Sequence, residues 1–263
     1  MILFVFEGEK REPQLLKVIE SCFDLGKQRI VCSYRNQIQS LYSLLDDLSL
    51  PEFEGGAVDL VALLKQWHND HPDDEIHTIE SSDDVSEIYL FFDLDPQDDS
   101  GSLEEQLEHV EKQLEVFDNE TFNGKLYISY PMIEAIFYTK ELPDPNFGSY
   151  TVKIKDCKDF KDITHVFTDY KSFQFPKNHR ASSSVISKCW SDLVEQHVRK
   201  ARALTELSEG KPSPKDIFIA ERDKHIRPQD RELSILASLP LFLYDYFGEK
   251  KFPTKGQSDA PTT

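Results

Sequence analysis

Two acidic motifs each follow an apolar run that is short enough to be a buried strand. Glu7 comes directly after residues 2–6, and the motif Asp93-x-Asp95 closes the run at residues 87–93. Carboxylates brought to one edge of a sheet repel one another unless a cation neutralises them. Carboxylate oxygens favour Mg²⁺ or Mn²⁺ over zinc. We therefore expect a divalent metal site that could polarise a phosphodiester and activate water.

The same neighbourhood offers further candidate groups. Glu7 could ligate the metal or act as the general acid or base. Lys10 and Arg11 begin the next helix, where they could stabilise charge on a scissile phosphate; the alternative is a solvated helix start. If these acids are only the polar ends of strands, they should face water. The remaining candidate ligands are Glu134 for the same metal, and Glu12 and Asp98 for a second metal.

The elements that must position these residues alternate strand and helix over the first 140 residues. Apolar runs predict strands at residues 2–6, 29–33, 87–93 and 125–129, and helical spacing of apolar residues follows each of them. This alternation predicts an α/β fold with a mainly parallel four-stranded sheet and helices on both faces. In such sheets the functional site lies at the carboxyl ends of the strands, which is where both acidic motifs fall.

The chain divides into three predicted regions. Residues 1–148 form the metal-binding domain, interrupted at about 50–85 by an insertion with one amphipathic helix and a polar, acidic loop. Residues 149–249 are predicted to be mostly helical after a short edge strand, and Pro240 should kink the last helix. Residues 250–263 are predicted to be a disordered tail.

Charge is unevenly distributed. The net charge is −18, which by itself argues against nucleic-acid binding. The negative charge is concentrated in residues 1–150, however, and residues 151–263 are mildly basic. The candidate phosphate-contact residues are therefore Arg180, Arg199, Lys200 and Arg202, with Arg11. The alternative is that these cations pair with the acidic half of the chain or only aid solubility.

The cysteines and histidines do not form a recognisable motif. None of the four cysteines belongs to a CxxC pair, so we expect buried free thiols in a reducing compartment. His68 and His71 have a spacing that could bind a metal, but no third ligand lies nearby, so surface or loop histidines are expected. No basic leader or long apolar span is present, so we expect a cytoplasmic protein without a membrane segment.

Three motifs resemble those of the Toprim domain, most closely in RloB-like and OLD-type proteins. The first is residues 7–13 (EGEKREP), which is similar to a family motif with Thr at the position of Arg11. The second is residues 90–95 (LFFDLD). The third is residues 129–134 (SYPMIE), which has Tyr130 where the family has Asn. The resemblance covers about residues 1–140.

The resemblance implies a Mg²⁺- or Mn²⁺-dependent nuclease of antiphage defence that acts on DNA or RNA, often beside a separate ATPase subunit. It assigns acid/base catalysis or metal ligation to Glu7, and metal binding to Asp93 and Asp95. Many family members carry an acid where Arg11 stands, which leaves the second metal open. No phosphate-binding GxxxxGK[ST] loop is present, so this chain itself is not expected to hydrolyse ATP.

Two rivals remain at this point. The first is a non-catalytic Toprim-like module that binds a partner protein through its acidic surface. The second is another phosphotransfer enzyme, such as a primase-like polymerase or a phosphatase with an aspartate nucleophile. The phosphatase is disfavoured because its D-x-D follows the first strand, whereas here the motif follows the third.

Overall fold

The structure is a computed structural model that describes residues 1–26, 28–47, 58–96, 103–168, 182–228 and 231–253. Its centre is a five-stranded sheet with the order β2-β1-β3-β5-β4. All pairs are parallel except β4 with β5. The strands are β1 (Ile2–Phe6), β2 (Arg29–Ser33), β3 (Glu87–Asp93), β4 (Asp118–Asn119) and β5 (Gly124–Ser129).

The α/β class and the mostly parallel sheet are confirmed, but the expected number of strands was too low. The additional strand, β4, has only two residues, both exposed, and pairs along the edge of β5. Two residues are too few to show an alternating apolar pattern, so the sequence carries no signal for it. The four longer strands lie within one residue of their predicted bounds.

The register brings the carboxyl ends of the central strands to one edge. Phe6, the last residue of β1, is aligned with Ser33 of β2 and with Phe91 of β3. Asp93, the last residue of β3, is aligned with Ser129 of β5. Residues that follow these strand ends therefore meet at the same edge of the sheet.

Eight α-helices are present in the described residues, together with several short 3₁₀ turns. The predicted helix after Pro131 is instead a 3₁₀ turn at Ile133–Phe137. The acidic segment after Trp67, expected to be a loop, forms 3₁₀ turns at Glu75–Thr78 and Ser82–Asp84. The helices are α1 (Arg11–Cys22), α2 (Ile38–Asp47), α3 (Leu60–Trp67), α4 (Leu103–Val116), α5 (Phe160–Phe167), α6 (Ser183–Thr205), α7 (Pro214–Glu221) and α8 (Ser238–Phe247).

The second half of the chain is less helical than expected. The predicted short edge strand is β6 (Thr151–Lys153). It pairs with β7 (Glu232–Ser234), which lies in the region that was predicted to be helical. Helix α8 begins only at Ser238, so Pro240 lies in its first turn, where proline is tolerated, and not at a kink.

Helix α8 packs on the central sheet and joins the two halves of the chain. The ring of Phe242 meets those of Phe4 and Phe91 edge-on, with ring centroids 5.7 and 5.4 Å away. Every residue of β1 is buried, so both faces of the sheet centre are covered. The boundary predicted near residue 148 therefore does not separate two hydrophobic cores.

The first residues of the predicted disordered tail are instead packed against the core. Phe252 is buried, and its ring packs against those of Phe23 and Phe247. Residues 254–263 lie outside the described part of the chain. Among the described residues, no helix combines the length and apolar character that crossing a membrane requires.

Candidate functional site

The loop after β1 and the end of β3 are joined through the side chain of Glu7. The Glu7 backbone N–H donates to the Phe91 carbonyl at 3.0 Å, which continues the pairing of the two strands. The Glu7 Oε2 atom accepts a hydrogen bond from the Asp93 backbone N–H at 2.9 Å. The structure thus brings together two acidic motifs that are 86 residues apart in sequence.

Gly8 allows a second carboxylate to approach the same loop. Its backbone N–H donates to Glu12 Oε1 at 3.2 Å. A Cβ atom at Gly8 would lie only 2.8 Å from Glu12 Oε2. The absence of a side chain at Gly8 leaves room for Glu12, which lies in the first turn of α1, folds back onto the loop and is buried. Glu12 was predicted as a second-metal ligand, and the structure places it beside Glu7.

Glu134 reaches the cluster from the turn after β5. It is buried in the 3₁₀ turn Ile133–Phe137, and the Ile133 backbone N–H donates to the Asp93 carboxyl group. Arg11 Nη2 lies 3.6 Å from Glu134 Oε1, and its guanidinium lies over the Phe137 ring at 5.3 Å. Arg11 is therefore a counter-ion at the edge of the cluster, in an ordered position.

Asp95 completes the cluster through an unusual backbone conformation. Its φ is +34°, in the left-handed region that aspartate tolerates better than most residues. The Leu94 and Asp95 backbone N–H groups donate to the Ser129 and Pro131 carbonyls, both at 3.0 Å, which holds this turn against the end of β5. A cleft with about 310 Å³ of empty space runs past Asp93 and Asp95 to Gln106.

These five side chains are called the acid cluster below. They come from the end of β1 and the start of α1, from the end of β3 and its following turn, and from the turn after β5. The acid cluster consists of Glu7, Glu12, Asp93, Asp95 and Glu134.

Three carboxyl groups of the acid cluster have raised pKa values, because their negative charges are not balanced by nearby positive charges. Burial raises the pKa of Glu7 to about 7, opposed by the Asp93 N–H bond and reinforced by the charges of Glu12 and Asp95. Burial also holds the pKa of Asp93 well above its usual range, with repulsion from Glu7 and Glu12 adding to it. Burial, with the charge of Glu134, raises the pKa of Glu12.

The arrangement suits a hard divalent cation but is not closed around one. Oxygen-rich, carboxylate donor sets favour Mg²⁺ or Mn²⁺. A cation would compensate both the burial and the mutual repulsion that raise these pKa values. Within the described residues, no three carboxylates of the acid cluster have oxygens that all lie within 4.8 Å of one another. Mutual repulsion is a sufficient reason for this spacing when no cation screens the charges.

The predicted cationic residues have different environments. Lys10 is exposed at the N-cap of α1, within three residues of Glu7. Arg199 is half-buried on α6. Two other predictions, Arg180 as a phosphate contact and Asp98 as a second-metal ligand, lie outside the described residues.

Two predicted phosphate contacts are structural residues, which corrects that part of the prediction. Lys200 is buried on α6, where its ammonium donates to the Phe147 carbonyl at 3.3 Å and to the Tyr150 carbonyl. Arg202 is also buried and donates to the Gly210 carbonyl and the Tyr244 hydroxyl, both at 2.7 Å. Both cations hold loops of the second half of the chain, so neither faces a nucleic acid. Their positions on the inner face of a long helix were not recognised as buried.

One group of side chains was missed because its members are distant in sequence. Cys32 of β2, His68 after α3 and Asp74 present ligand atoms that all lie within 4.8 Å of one another. His68 was expected at the surface but is only 1% exposed. The available signal was weak: alternation along β2 indicates that Cys32 points inward, but nothing in the spacing connects it with His68.

Comparisons with known proteins identify no relative: no family model, no curated protein and no solved structure matches this chain. The likeness to Toprim domains therefore rests on the three motifs in the sequence.

Proposed function

We propose that this protein is a Mg²⁺- or Mn²⁺-dependent nuclease that hydrolyses phosphodiester bonds of DNA or RNA at the acid cluster. The observation that carries the proposal is the hydrogen bond from the Asp93 backbone to the Glu7 carboxylate, because it joins the two motifs that the chemistry requires. The resemblance to Toprim nucleases supports the choice of substrate and suggests a cytoplasmic role in antiphage defence, with a separate ATPase as a partner.

Asp93, Asp95 and Glu7 would hold the metal, and Glu134 lies at the same edge as a further carboxylate. Glu12 is the remaining candidate for a second ion, since it faces the same loop. When bound, the divalent ion would polarise the phosphodiester and lower the pKa of a water molecule. The partly buried, carboxylate-only donor set fits this ion, as the raised pKa values of Glu7 and Asp93 indicate uncompensated negative charge.

If Asp93 and Asp95 hold the metal and Glu7 is not a ligand, Glu7 is the residue best suited to move a proton. A pKa of about 7 means that the group is populated in both protonation states near neutral pH, which is the condition for efficient general acid or base catalysis. Its Oε2 atom is oriented by the Asp93 N–H, so the carboxyl group has a defined direction. Arg11 and Lys10 are the cations closest in sequence that could stabilise phosphate charge, and Arg11 would have to exchange Glu134 for the phosphate.

The direct test is cleavage of plasmid, single-stranded DNA and total RNA with Mg²⁺ or Mn²⁺. Glu7→Gln and Asp93→Asn are compared with Glu87→Gln. Glu87 is the matched control because it lies at the opposite end of β3 from Asp93. We expect the cleavage rates of both acid-cluster variants to fall at least about 100-fold, because each variant loses a general base or a metal ligand. The cleavage rate of Glu87→Gln should not change. Equal product from all four proteins would contradict the proposal and point to a contaminating nuclease.

The alternative function is partner binding through the acidic surface, which the net charge of −18 favours. A binding module has no need for a metal, whereas a nuclease must bind one. Calorimetric titration with Mn²⁺ separates the two, since only the nuclease is expected to lose metal binding in Asp93→Asn. Absence of both metal binding and cleavage in the unaltered protein would favour the partner-binding alternative.

A further inference from the structure

A second group of potential ligands lies at β2, the strand that pairs with β1. We call Cys32, His68 and Asp74 the Cys32 triad. Their ligand atoms, one from each residue, lie within 4.8 Å of one another. Donor atoms around a tetrahedral Zn²⁺ are roughly 3.3–3.8 Å apart, given Zn–N and Zn–S distances of about 2.0 and 2.3 Å. Side-chain movements of about 1 Å would therefore close the triad around one ion.

The three residues are held by separate elements. Cys32 lies in β2 and is fully buried. His68 follows α3, and its backbone N–H continues the helix by donating to the Leu64 carbonyl at 2.9 Å. Asp74 precedes a 3₁₀ turn, and its Oδ1 atom accepts from the Ile76 N–H at 3.2 Å. Because each ligand has an independent anchor, the triad is a converging arrangement and not a chance contact within one loop.

The His68 ring is not satisfied by the protein around it. Its Nδ1 atom lies 2.9 Å from Arg35 Nη1, so this nitrogen accepts from the guanidinium. Its Nε2 atom is buried and has no hydrogen-bond partner among the described residues. The nitrogen shown near the triad is Nδ1, which lies 3.8 Å from Asp74 Oδ2. An ion in the triad would therefore replace Arg35 at Nδ1, and Nε2 would carry the ring proton.

Arg35 supplies positive charge next to the triad. Its Nη1 atom lies 3.1 Å from Asp74 Oδ2, and its Nε atom pairs with Glu9. A divalent ion would compete with this guanidinium for Asp74, while the Glu9 pair would remain available to Arg35. Removal of the Arg35 charge should therefore strengthen metal binding, the opposite of the effect expected for a ligand.

The donor types select a different ion from the one that the acid cluster suits. A thiol, an imidazole and a carboxylate are the mixed ligands of Zn²⁺, whereas Mg²⁺ takes oxygen ligands. Burial, with the charge of Asp74, raises the pKa of the Cys32 thiol, so it is neutral without a metal. A coordinated thiol is deprotonated by the ion itself.

We propose that Cys32, His68 and Asp74 bind one Zn²⁺ ion that fastens the segment 68–78 to β2, with water in the fourth position. The Val31 N–H already donates to Glu75 Oε2 at 3.1 Å, so this segment is in contact with the strand before any ion binds. The Arg35 N–H donates to the Glu7 carbonyl at 2.9 Å, which connects the end of β2 with the loop that carries Glu7. The ion would therefore link the segment 68–78 to β2 through residues that do not belong to the acid cluster.

The test is titration of the chelator-stripped full chain with Co²⁺, a spectroscopic substitute for Zn²⁺, in excess Mg²⁺ that occupies oxygen-only sites. We expect one equivalent of Co²⁺ to bind with a near-ultraviolet thiolate-to-metal absorption band, and Zn²⁺ to displace it. A bound Co²⁺ spectrum without that band in the unaltered protein overturns the proposal, and so does failure to bind Co²⁺ or Zn²⁺.

Variants assign the ligands. Cys32→Ser should abolish the band, and Asp74→Asn should weaken Zn²⁺ binding by at least about 10-fold. Cys157→Ser is the matched control, because Cys157 is also a buried free cysteine but lies far from the triad in sequence. Arg35→Gln should bind Zn²⁺ more tightly. Unchanged affinity in folded Cys32→Ser and Asp74→Asn overturns the proposal; if Cys32→Ser does not fold, the spectrum of the unaltered protein and Asp74→Asn decide.

Discussion

Replacement of Glu7 by glutamine should stabilise the metal-free protein increasingly as the pH rises above about 4.5, with the full effect above pH 7. Glutamine retains a carbonyl oxygen that can accept the hydrogen bond from the Asp93 N–H, but it carries no charge. The folded protein holds the pKa of Glu7 at about 7, mainly by burial, against an ordinary value of 4.5. Ionisation of Glu7 is therefore unfavourable in the folded protein, and unfolding removes this cost.

The direction and size of the effect follow from proton linkage. Between pH 4.5 and 7 the folded state binds more protons at Glu7 than the unfolded state does, so raising the pH lowers the unfolding free energy. The loss is complete above pH 7. A tenfold change in acidity constant corresponds to about 1.4 kcal/mol, so the full loss is about 3 kcal/mol. About 2–3 kcal/mol of it falls between pH 5 and pH 8.

The measurement is urea denaturation of the unaltered protein and Glu7→Gln at pH 5 to 8 in the presence of a chelator. The unfolding free energy of Glu7→Gln minus that of the unaltered protein should increase by about 2–3 kcal/mol over this range. Glu87→Gln is the control, because it removes one carboxylate outside the acid cluster. Saturating Mg²⁺ at pH 8 should stabilise the unaltered protein by about 2.7 kcal/mol at 100 times the dissociation constant, with less gain for Glu7→Gln. A difference that does not vary with pH would refute the assignment of an uncompensated Glu7 charge.

Three further substitutions test other parts of the structure. Gly8→Ala should displace the Glu12 carboxylate, because the new Cβ would lie 2.8 Å from Glu12 Oε2; we expect roughly 10-fold weaker Mn²⁺ binding by calorimetry, and unchanged affinity would exclude Glu12 from the metal site. Lys200→Met should lower the unfolding free energy by about 1–3 kcal/mol, since two buried carbonyls lose their donor. It should not alter the salt dependence of DNA binding; a reduced slope would restore Lys200 as a phosphate contact. Phe242→Ala should cost about 3–5 kcal/mol in denaturant unfolding, and a loss below 1 kcal/mol would contradict the packing of α8 on the sheet.

The sequence was sufficient to predict those strands that consist of an apolar run of their own. The runs that end at Phe6 and at Asp93 are continuous apolar segments of strand length, and the interior residues of both are buried in the sheet. Their order and the parallel rule then placed Glu7 and Asp93 at one edge. What the pattern did not contain was the two-residue strand β4 and the strand β7, which is stabilised by its pairing with β6 and not by a periodicity of its own.

Burial of polar residues was the other part that sequence reasoning could not supply. Lys200 and Arg202 have the side chains of surface cations, yet carbonyl and hydroxyl acceptors from distant segments satisfy them inside the fold. The same holds for His68, whose neighbour Cys32 is on another element. Such pairings depend on tertiary contacts between residues far apart in the chain, and no local spacing encodes them.

The burial of the acid cluster is itself an argument for function. If these acids were only the polar ends of strands, they would face water and would cost the fold nothing. The strand-end acids Glu7 and Asp93 are instead only partly exposed. The charges of Glu12 and Glu134, which are themselves only 6% and 7% exposed, add to the repulsion at Asp93. Repulsion among these groups opposes folding at neutral pH, and Arg11 is the cation seen to pair with one of them. Charge concentrated in this way is characteristic of sites that bind a cation or move a proton, because a bound cation turns the repulsion into attraction.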